Sequence, residues 1–127
     1  MAPWQDYALR KGPRGHTVVG TVRVGKKVHS PQLGNRRDLL AYLPPSYGAT
    51  ERRYPVLYMH DGQNLFDRAT SYAGEWQVDE TMEALAGEGI EAIVVGIPNM
   101  GTQRMVEYNP FNDAHEGAGR GEAYTAF

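Results

Sequence analysis

The feature that most restricts how this chain can fold is Tyr54-Pro55-Val56-Leu57-Tyr58-Met59-His60-Asp61-Gly62-Gln63-Asn64, a short apolar run that passes directly into a tight polar loop. Val56 to Met59 is almost unbroken in its hydrophobicity, with Pro55 before it and Asp61-Gly62 after it. Such a run predicts a strand covered on both faces of a parallel sheet. The loop then sits at the carboxyl end of that strand, where open α/β sheets hold their ligands. A glycine at position 62 permits a positive φ at no steric cost, so a sharp turn is expected there, with the backbone N–H groups of Gln63 and Asn64 facing outward. Donors so placed suit negative charge developing on an oxygen. A strand followed by Asp-Gly is a weak signal alone, because the same dipeptide closes ordinary hairpins and turns.

The flanking text supplies a sheet for this strand. Ala92 to Ile97 is a second continuous apolar run, rich in β-branched residues and ended by Pro98-Asn99, and predicts another fully buried parallel strand. Between the two, Glu75 to Ala86 has helical spacing: Val78, Met82, Leu85 and Ala86 recur at i, i+4, i+7 and i+8, acids crowd the first turns, and Gly87 stands as the stop. Strand, crossover helix and strand make one right-handed βαβ unit. Upstream, His16 to His29 alternates loosely with Val18, Val22, Val24 and Val28 inward and Gly25 at a turn or bulge. Arg36 to Leu43 is a second strand ended by Pro44-Pro45. Residues 1–15 form an N-terminal arm whose Trp4 and Tyr7 dock on the body, and residues 16–127 a single domain. Asn99 to Gly121 keeps no helical or strand period and predicts a long loop, after which Glu122 to Phe127 starts an amphipathic turn carrying Tyr124 and Phe127.

Four stretches together carry a resemblance: Arg37 to Tyr47 with its Y-L-P-P-S-Y, Arg53 to Asp67 with Y-P-V-L-Y-M-H-D-G-Q-N-L-F-D, Gly74 to Thr81 with G-E-W-Q-V-D-E-T, and I-V-V-G-I-P-N followed by R-M-V-E-Y-N-P-F. In their order and spacing these resemble the putative esterase family of α/β-hydrolases, which includes enterochelin-esterase-like, feruloyl-esterase-like and S-formylglutathione-hydrolase-like enzymes. The resemblance runs from about Leu33 to the last residue. It implies a partial α/β-hydrolase fold: an α/β protein with a mixed sheet and antiparallel N-terminal strands, truncated before the strand that bears the nucleophile. It also implies that the N–H of Gln63, the residue after Asp61-Gly62, is one of two donors to a tetrahedral intermediate, with Gly62 and Asp61 supporting the loop and Gln63's side chain incidental. Arg104, Glu107 and Tyr108 match a segment that in the family runs beside the cleft. Arg104 and Glu107 are expected to pair across one turn and fix the loop, and Asn64, Arg104, Glu107, Tyr108, Phe111 and Trp76 are candidate substrate-binding residues, although for Trp76 core packing is the favoured role.

The serine of such an enzyme sits on a G-x-S-x-G elbow, followed by an acid and then a histidine. No such elbow occurs in the 127 residues, and Ser30, Ser46 and Ser71, its only serines, read as turn residues. The chain is therefore expected to be catalytically incomplete as it stands, its nucleophile, acid and histidine lying beyond Phe127. His60 and Asp61 are adjacent on an extended strand and so point to opposite faces, which argues against joint metal ligation; His60 is expected to be a hydrogen-bonded scaffold residue and Asp61 to hold the turn by accepting loop N–H groups. Asp113, His115 and Glu116 read as solvated surface. Gly117-Ala118-Gly119-Arg120-Gly121 lacks the third glycine of a dinucleotide loop and follows no strand. Neither a cofactor nor a metal is expected.

Composition narrows the partners. A net charge of −2 with interspersed signs provides no basic stripe for nucleic acid. No apolar run approaches the roughly 20 residues of a membrane helix, and Met1 to Asp6 lacks a secretory core, which favours a cytoplasmic location. The absence of cysteine removes disulfides and a thiol nucleophile. The expected partner of the intact enzyme is a small ester, and the central strand, lacking its nucleophile-strand neighbour, is expected to leave a bare apolar edge and promote self-association. The rival is a non-catalytic module that has kept the scaffold and binds a ligand or partner chain through the same loops.

Overall fold

A mixed sheet runs through the computed structural model, which describes residues 3–9, 15–111 and 119–127. Its strands are β1 (Trp4–Asp6), β2 (Thr21–Ser30), β3 (Asn35–Leu43), β4 (Val56–His60) and β5 (Ile93–Ile97), in the spatial order β1-β2-β3-β5-β4. β4 and β5 are parallel, Val56 facing Ile93 and His60 facing Ile97, and every other pairing is antiparallel. Helix α1 (Val78–Gly87) lies between them in sequence, giving the expected strand-helix-strand unit.

The two antiparallel strands expected upstream form the β2–β3 hairpin. Its turn is closed by Gly34, at a φ of 66°, donating to the Ser30 carbonyl, while the Ser30 hydroxyl accepts the Leu33 N–H. The expected irregularity near Gly25 is a bulge between Gly25 and Val28, with Lys27 at a φ of 50° and its N–H bonded to Asp38. Val22 and Val24 point into the core with Leu40, Tyr42, Leu65, Phe66, Met82 and Val94, and Val18, Val78 and Leu85 pack against its margin. Tyr42 and Val94 are wholly buried. Each such large apolar side chain contributes about 1.5–3 kcal/mol. Helix α1 presents Met82 as its most buried apolar residue, and its end differs from expectation: Gly87 is still helical, and the left-handed residue is Gly89, whose N–H bonds Ala86 while Ile90 reaches back to Leu85.

The arm does more than dock. Trp4–Asp6 adds an edge strand to β2, and the Trp4 ring lies over Gly25, close enough that a side chain there would touch it. The Tyr7 hydroxyl donates to Asp67 at 2.7 Å, and the same buried carboxylate is bonded by His16 Nδ1 at 2.7 Å and by the N–H groups of Thr17 and Ala69. Burial alone would push the Asp67 carboxyl up; the His16, Ala69, Tyr7 and Thr17 bonds together hold it below the ordinary carboxylate range. Asp79, at the start of α1, caps the backbone differently, accepting the Val19 N–H at 2.8 Å, and there burial and the neighbouring Glu80 raise the carboxyl.

Two expectations about burial fail. The Val56–His60 strand is not covered on both faces: Val56, Leu57 and Tyr58 are 44, 51 and 68 % exposed; its position at the edge of the sheet, paired among the described residues only with β5, is the one expected. β5 is buried on one face only, at Val94 and Gly96. The segment after Asn99 also departs from a loop, since Gly101–Gln103 forms a 3₁₀ turn running into helix α2 (Arg104–Tyr108), followed past residue 119 by helix α3 (Gly121–Ala126). α2 is too short for a periodicity argument to detect. Asp113, His115, Glu116 and Gly117 lie outside the described residues.

The unpaired edge of β4 generates a prediction. Association of the chain is expected to rise with concentration, and Tyr58→Lys, which puts a charge on the exposed edge, to shift the population toward monomer. Sedimentation velocity over a tenfold concentration range measures both, and a wild-type chain that stays monomeric throughout would contradict the reading.

Candidate functional site

At the carboxyl ends of β4 and β5 the backbone of Asp61 takes a left-handed conformation, φ 54° and ψ 48°, and Gly62–Asn64 follows as one turn of 3₁₀ helix. The turn was expected at Gly62, yet it is Asp61 that carries the positive φ, a conformation aspartate tolerates better than most side chains. Gly62 is needed for another reason. A Cβ there would lie 2.6 Å from the carbonyl carbon of Gly96 and 2.8 Å from its oxygen, so the loop touches the β5 backbone directly. Only glycine permits that approach without displacing the strand.

Four side-chain bonds converge on the Asp61 carboxylate. Arg104 grips it through Nε at 2.8 Å and Nη2 at 2.7 Å, Asn99 Nδ2 donates at 2.8 Å, and the Tyr108 hydroxyl donates at 3.2 Å. The Asp61 N–H in turn donates to the Tyr108 oxygen. Asp61 was expected to accept loop N–H groups; it accepts side chains from β5's end and from α2 instead. The Arg104 bonds, outweighing burial and reinforced by Asn99 and Tyr108, hold the Asp61 carboxyl down at about 2, and Arg104 is raised in return by Asp61. Burial raises the Tyr108 hydroxyl, keeping it a neutral donor.

The Gln63 peptide is fixed on two sides. Its carbonyl accepts the Thr70 hydroxyl at 2.7 Å, and its side-chain oxygen, far from incidental, accepts the Asn99 N–H at 3.1 Å. The Gln63 N–H has no acceptor among the described residues. Asn64 differs from expectation: its N–H is taken by the Asp61 carbonyl at 2.8 Å. Its carbonyl and side-chain oxygen accept the N–H groups of Trp76 and Tyr72. Neither ring packs inward: Trp76 is 72 % and Tyr72 91 % exposed, so the favoured core role for Trp76 is overturned. Phe111 is likewise exposed, its N–H on the Asn109 side chain.

Arg104 and Glu107 do not pair. Their side chains leave α2 in different directions, Arg104 to Asp61 and Glu107 to Arg37 of β3 at 2.7 Å, the latter pair only 2 % exposed on each side. Arg37 also donates to the Pro98 carbonyl and lies under the Tyr124 and Phe127 rings at 5.8 and 5.5 Å. Glu107 is thus sealed from a ligand. His60 is the scaffold residue expected: Nδ1 is 2.9 Å from the Tyr124 hydroxyl, and the ring packs on Tyr108 and Tyr124. Asn99 and Arg37 were missed. The signal for Asn99 was its place just past a second parallel strand, where the ends of neighbouring strands converge. Ser30, Ser46 and Ser71 are turn residues, bonded to Leu33, Glu91 and Arg68.

A mixed sheet with a parallel pair joined by a helix, and a tight polar loop at the carboxyl ends of that pair, is the arrangement of part of an α/β-hydrolase fold. The family described as Putative esterase matches residues 30–127, and the chain belongs to that family. Among solved structures it is similar to an IroE-like serine hydrolase from Shewanella oneidensis, with a TM-score of 0.65 and 21% identity over 84% of this chain and 34% of that one. It is also similar to the BES protein from Bacillus cereus, with a TM-score of 0.62 and 17% identity over 94% of this chain and 46% of that one. At such identities the likeness is one of fold. The chain spans 34% and 46% of the lengths of these two structures, consistent with a partial fold. No curated protein matches it.

Two predictions follow from the ion pairs. Because the folded Asp61 pKa lies below its ordinary value of 3.8, the stabilisation it provides is full above about pH 5 and is lost as pH falls toward 2. Asp61→Asn keeps a residue that tolerates the left-handed turn, and is expected to cost on the order of 1–2 kcal/mol near neutrality, screening of the 42 % exposed Arg104 included, with the difference from wild type closing between about pH 4 and pH 2. Urea unfolding across that range reads it. Glu107→Gln, which strands the buried Arg37 charge, is expected to cost about 3–5 kcal/mol, most of it recovered by pairing Arg37→Met with Glu107→Leu. Equal losses in the single and double variants would refute this.

Proposed function

We propose that this segment supplies the oxyanion-holding loop of a serine carboxylic-ester or thioester hydrolase, with the Gln63 N–H as one of its two donors. One observation carries the reading: the Gln63 peptide is held through its carbonyl and its side chain while its own N–H has no acceptor among the described residues. A donor fixed in advance stabilises charge that appears only in the transition state. Asn64 adds no second donor from this loop, its N–H being taken by Asp61. The second would be the N–H following the serine, as the family's mechanism requires.

Asp61, Arg104, Asn99 and Tyr108 are positioning residues in this reading. They fix the left-handed turn from which the Gln63 peptide is launched, and none need touch substrate. Asn64 holds the backbones of Tyr72 and Trp76 beside the loop, so their exposed rings are the candidate walls for acyl or alcohol groups, with Phe111 a further exposed ring on the segment after α2. Attack on the ester carbonyl by the serine would form an acyl-enzyme that water then hydrolyses. Ser30, Ser46 and Ser71 are not offered for that role, since none lies on an elbow.

The absence of G-x-S-x-G from the 127 residues is the observation that favours the rival, a binding module on the same scaffold. The two separate in the polypeptide that unites this segment with an elbow serine. There Gln63→Pro, which deletes only this N–H from the backbone, is expected to lower kcat by about 10²- to 10³-fold, and Gln63→Ala, which keeps the N–H and loses the Asn99 contact, far less. The 127-residue chain alone is expected to leave p-nitrophenyl acetate at the buffer rate. Equal effects of proline and alanine, or turnover by the isolated chain that a serine-directed phosphonate abolishes, would overturn the proposal.

A further inference from the structure

Around Trp76, whose N–H is held by Asn64 of this loop, three carboxylates crowd the start of α1. One oxygen each from Glu75, Asp79 and Glu80 lies within 4.8 Å of the other two. Asp79 is 0 % exposed; its Oδ2 accepts the Val19 N–H, and its Oδ1 has no hydrogen-bond partner. Glu75 Oε2 and Glu80 Oε2 are buried without partners too, while Glu75 Oε1 accepts the Thr17 hydroxyl. No ion pair among the described residues involves any of the three.

We propose that Glu75, Asp79 and Glu80 form a binding site for a hard divalent cation, Ca²⁺ in preference to Mg²⁺. Three buried oxygens without donors, on carboxyl groups packed this closely, are costly unless something positive lies among the three groups. Oxygen-only donors select hard cations over the softer transition metals. Ca–O bonds of about 2.3–2.6 Å let one ion bridge carboxylate oxygens up to 4.8 Å apart, whereas Mg²⁺ at about 2.0–2.1 Å reaches less far and demands near-octahedral geometry. Thr17 and Val19 bond two of the three carboxylates, so a cation there would clamp the segment entering β2 to the first turn of α1. The site is independent of the ester-hydrolase reading.

Trp76, next to Glu75 in the chain, makes Tb³⁺ a direct probe, because an indole close to the ion sensitises its luminescence. Excitation of tryptophan in the protein titrated with Tb³⁺ is expected to give emission that Ca²⁺ displaces at lower concentration than Mg²⁺. Ca²⁺ at about 1–10 mM, enough to fill even weak sites, is expected to raise the Tm. Glu80→Gln is expected to weaken Ca²⁺ at least tenfold and to abolish the Tm rise, while Glu88→Gln, at the far end of α1, leaves both intact. Asp79→Asn, which keeps an acceptor for Val19, replaces Glu80→Gln if that variant fails to fold. Absence of sensitised emission with no Tm rise, or emission and Tm rise unchanged in the Glu80 and Asp79 variants, would overturn the proposal and leave the three carboxyls sharing protons instead.

Discussion

The bidentate grip of Arg104 on Asp61 is the contact from which the arrangement at the carboxyl ends of β4 and β5 follows. Asp61 sits in a backbone conformation that an ordinary residue would leave, and its side chain is the common acceptor for groups from two other parts of the chain. The carboxylate therefore determines where the next peptide starts, and Asn99, which bonds both Asp61 and Gln63, fixes where it goes. Charge-assisted bonds to three donors are strong enough to hold a turn that local propensity alone would not. Membership of the Putative esterase family gives this turn a chemical context, and the free Gln63 amide is the feature that would put it to use.

Beneath that turn lies a contact with no side chains in it. Gly62 and Gly96 bring two backbones together just beyond the last paired residues of β4, His60 facing Ile97. The loop is thus seated on the neighbouring strand and not merely attached to its own. The N-terminal arm is fastened by comparable means, Asp67 gathering Tyr7, His16 and Thr17 so that residues far apart in sequence share one buried acceptor.

Much of this was legible in the sequence. Loose alternation gave β2, a run stopped by Pro44-Pro45 gave β3, helical spacing gave α1, and the two apolar runs gave the parallel pair. The reading failed where burial depends on something more remote. Val56 to Tyr58 look like interior residues by composition, yet no described element covers them. Side-chain partners were also beyond it: that Arg104 reaches Asp61, and Glu107 reaches Arg37, depends on the direction in which a five-residue helix is docked, which no pattern of hydrophobicity encodes. Trp76 was misjudged for a related reason, since large aromatic rings favour burial only on average.

That five-residue helix has a consequence for how the parts of the site depend on one another. Five residues close barely one turn, far below the length at which a helix persists in water, so α2 is ordered by what it touches and not by its own propensity. Its two anchoring charges face separate bodies, Glu107 the interior of the sheet at Arg37 and Arg104 the exposed turn at Asp61. The contacts are accordingly nested: α2 leans on the sheet through Arg37, and the Asp61 turn leans on α2 through Arg104. The Gln63 peptide stands at the end of that chain of contacts, and local opening of α2 would loosen it while the hairpin stayed intact.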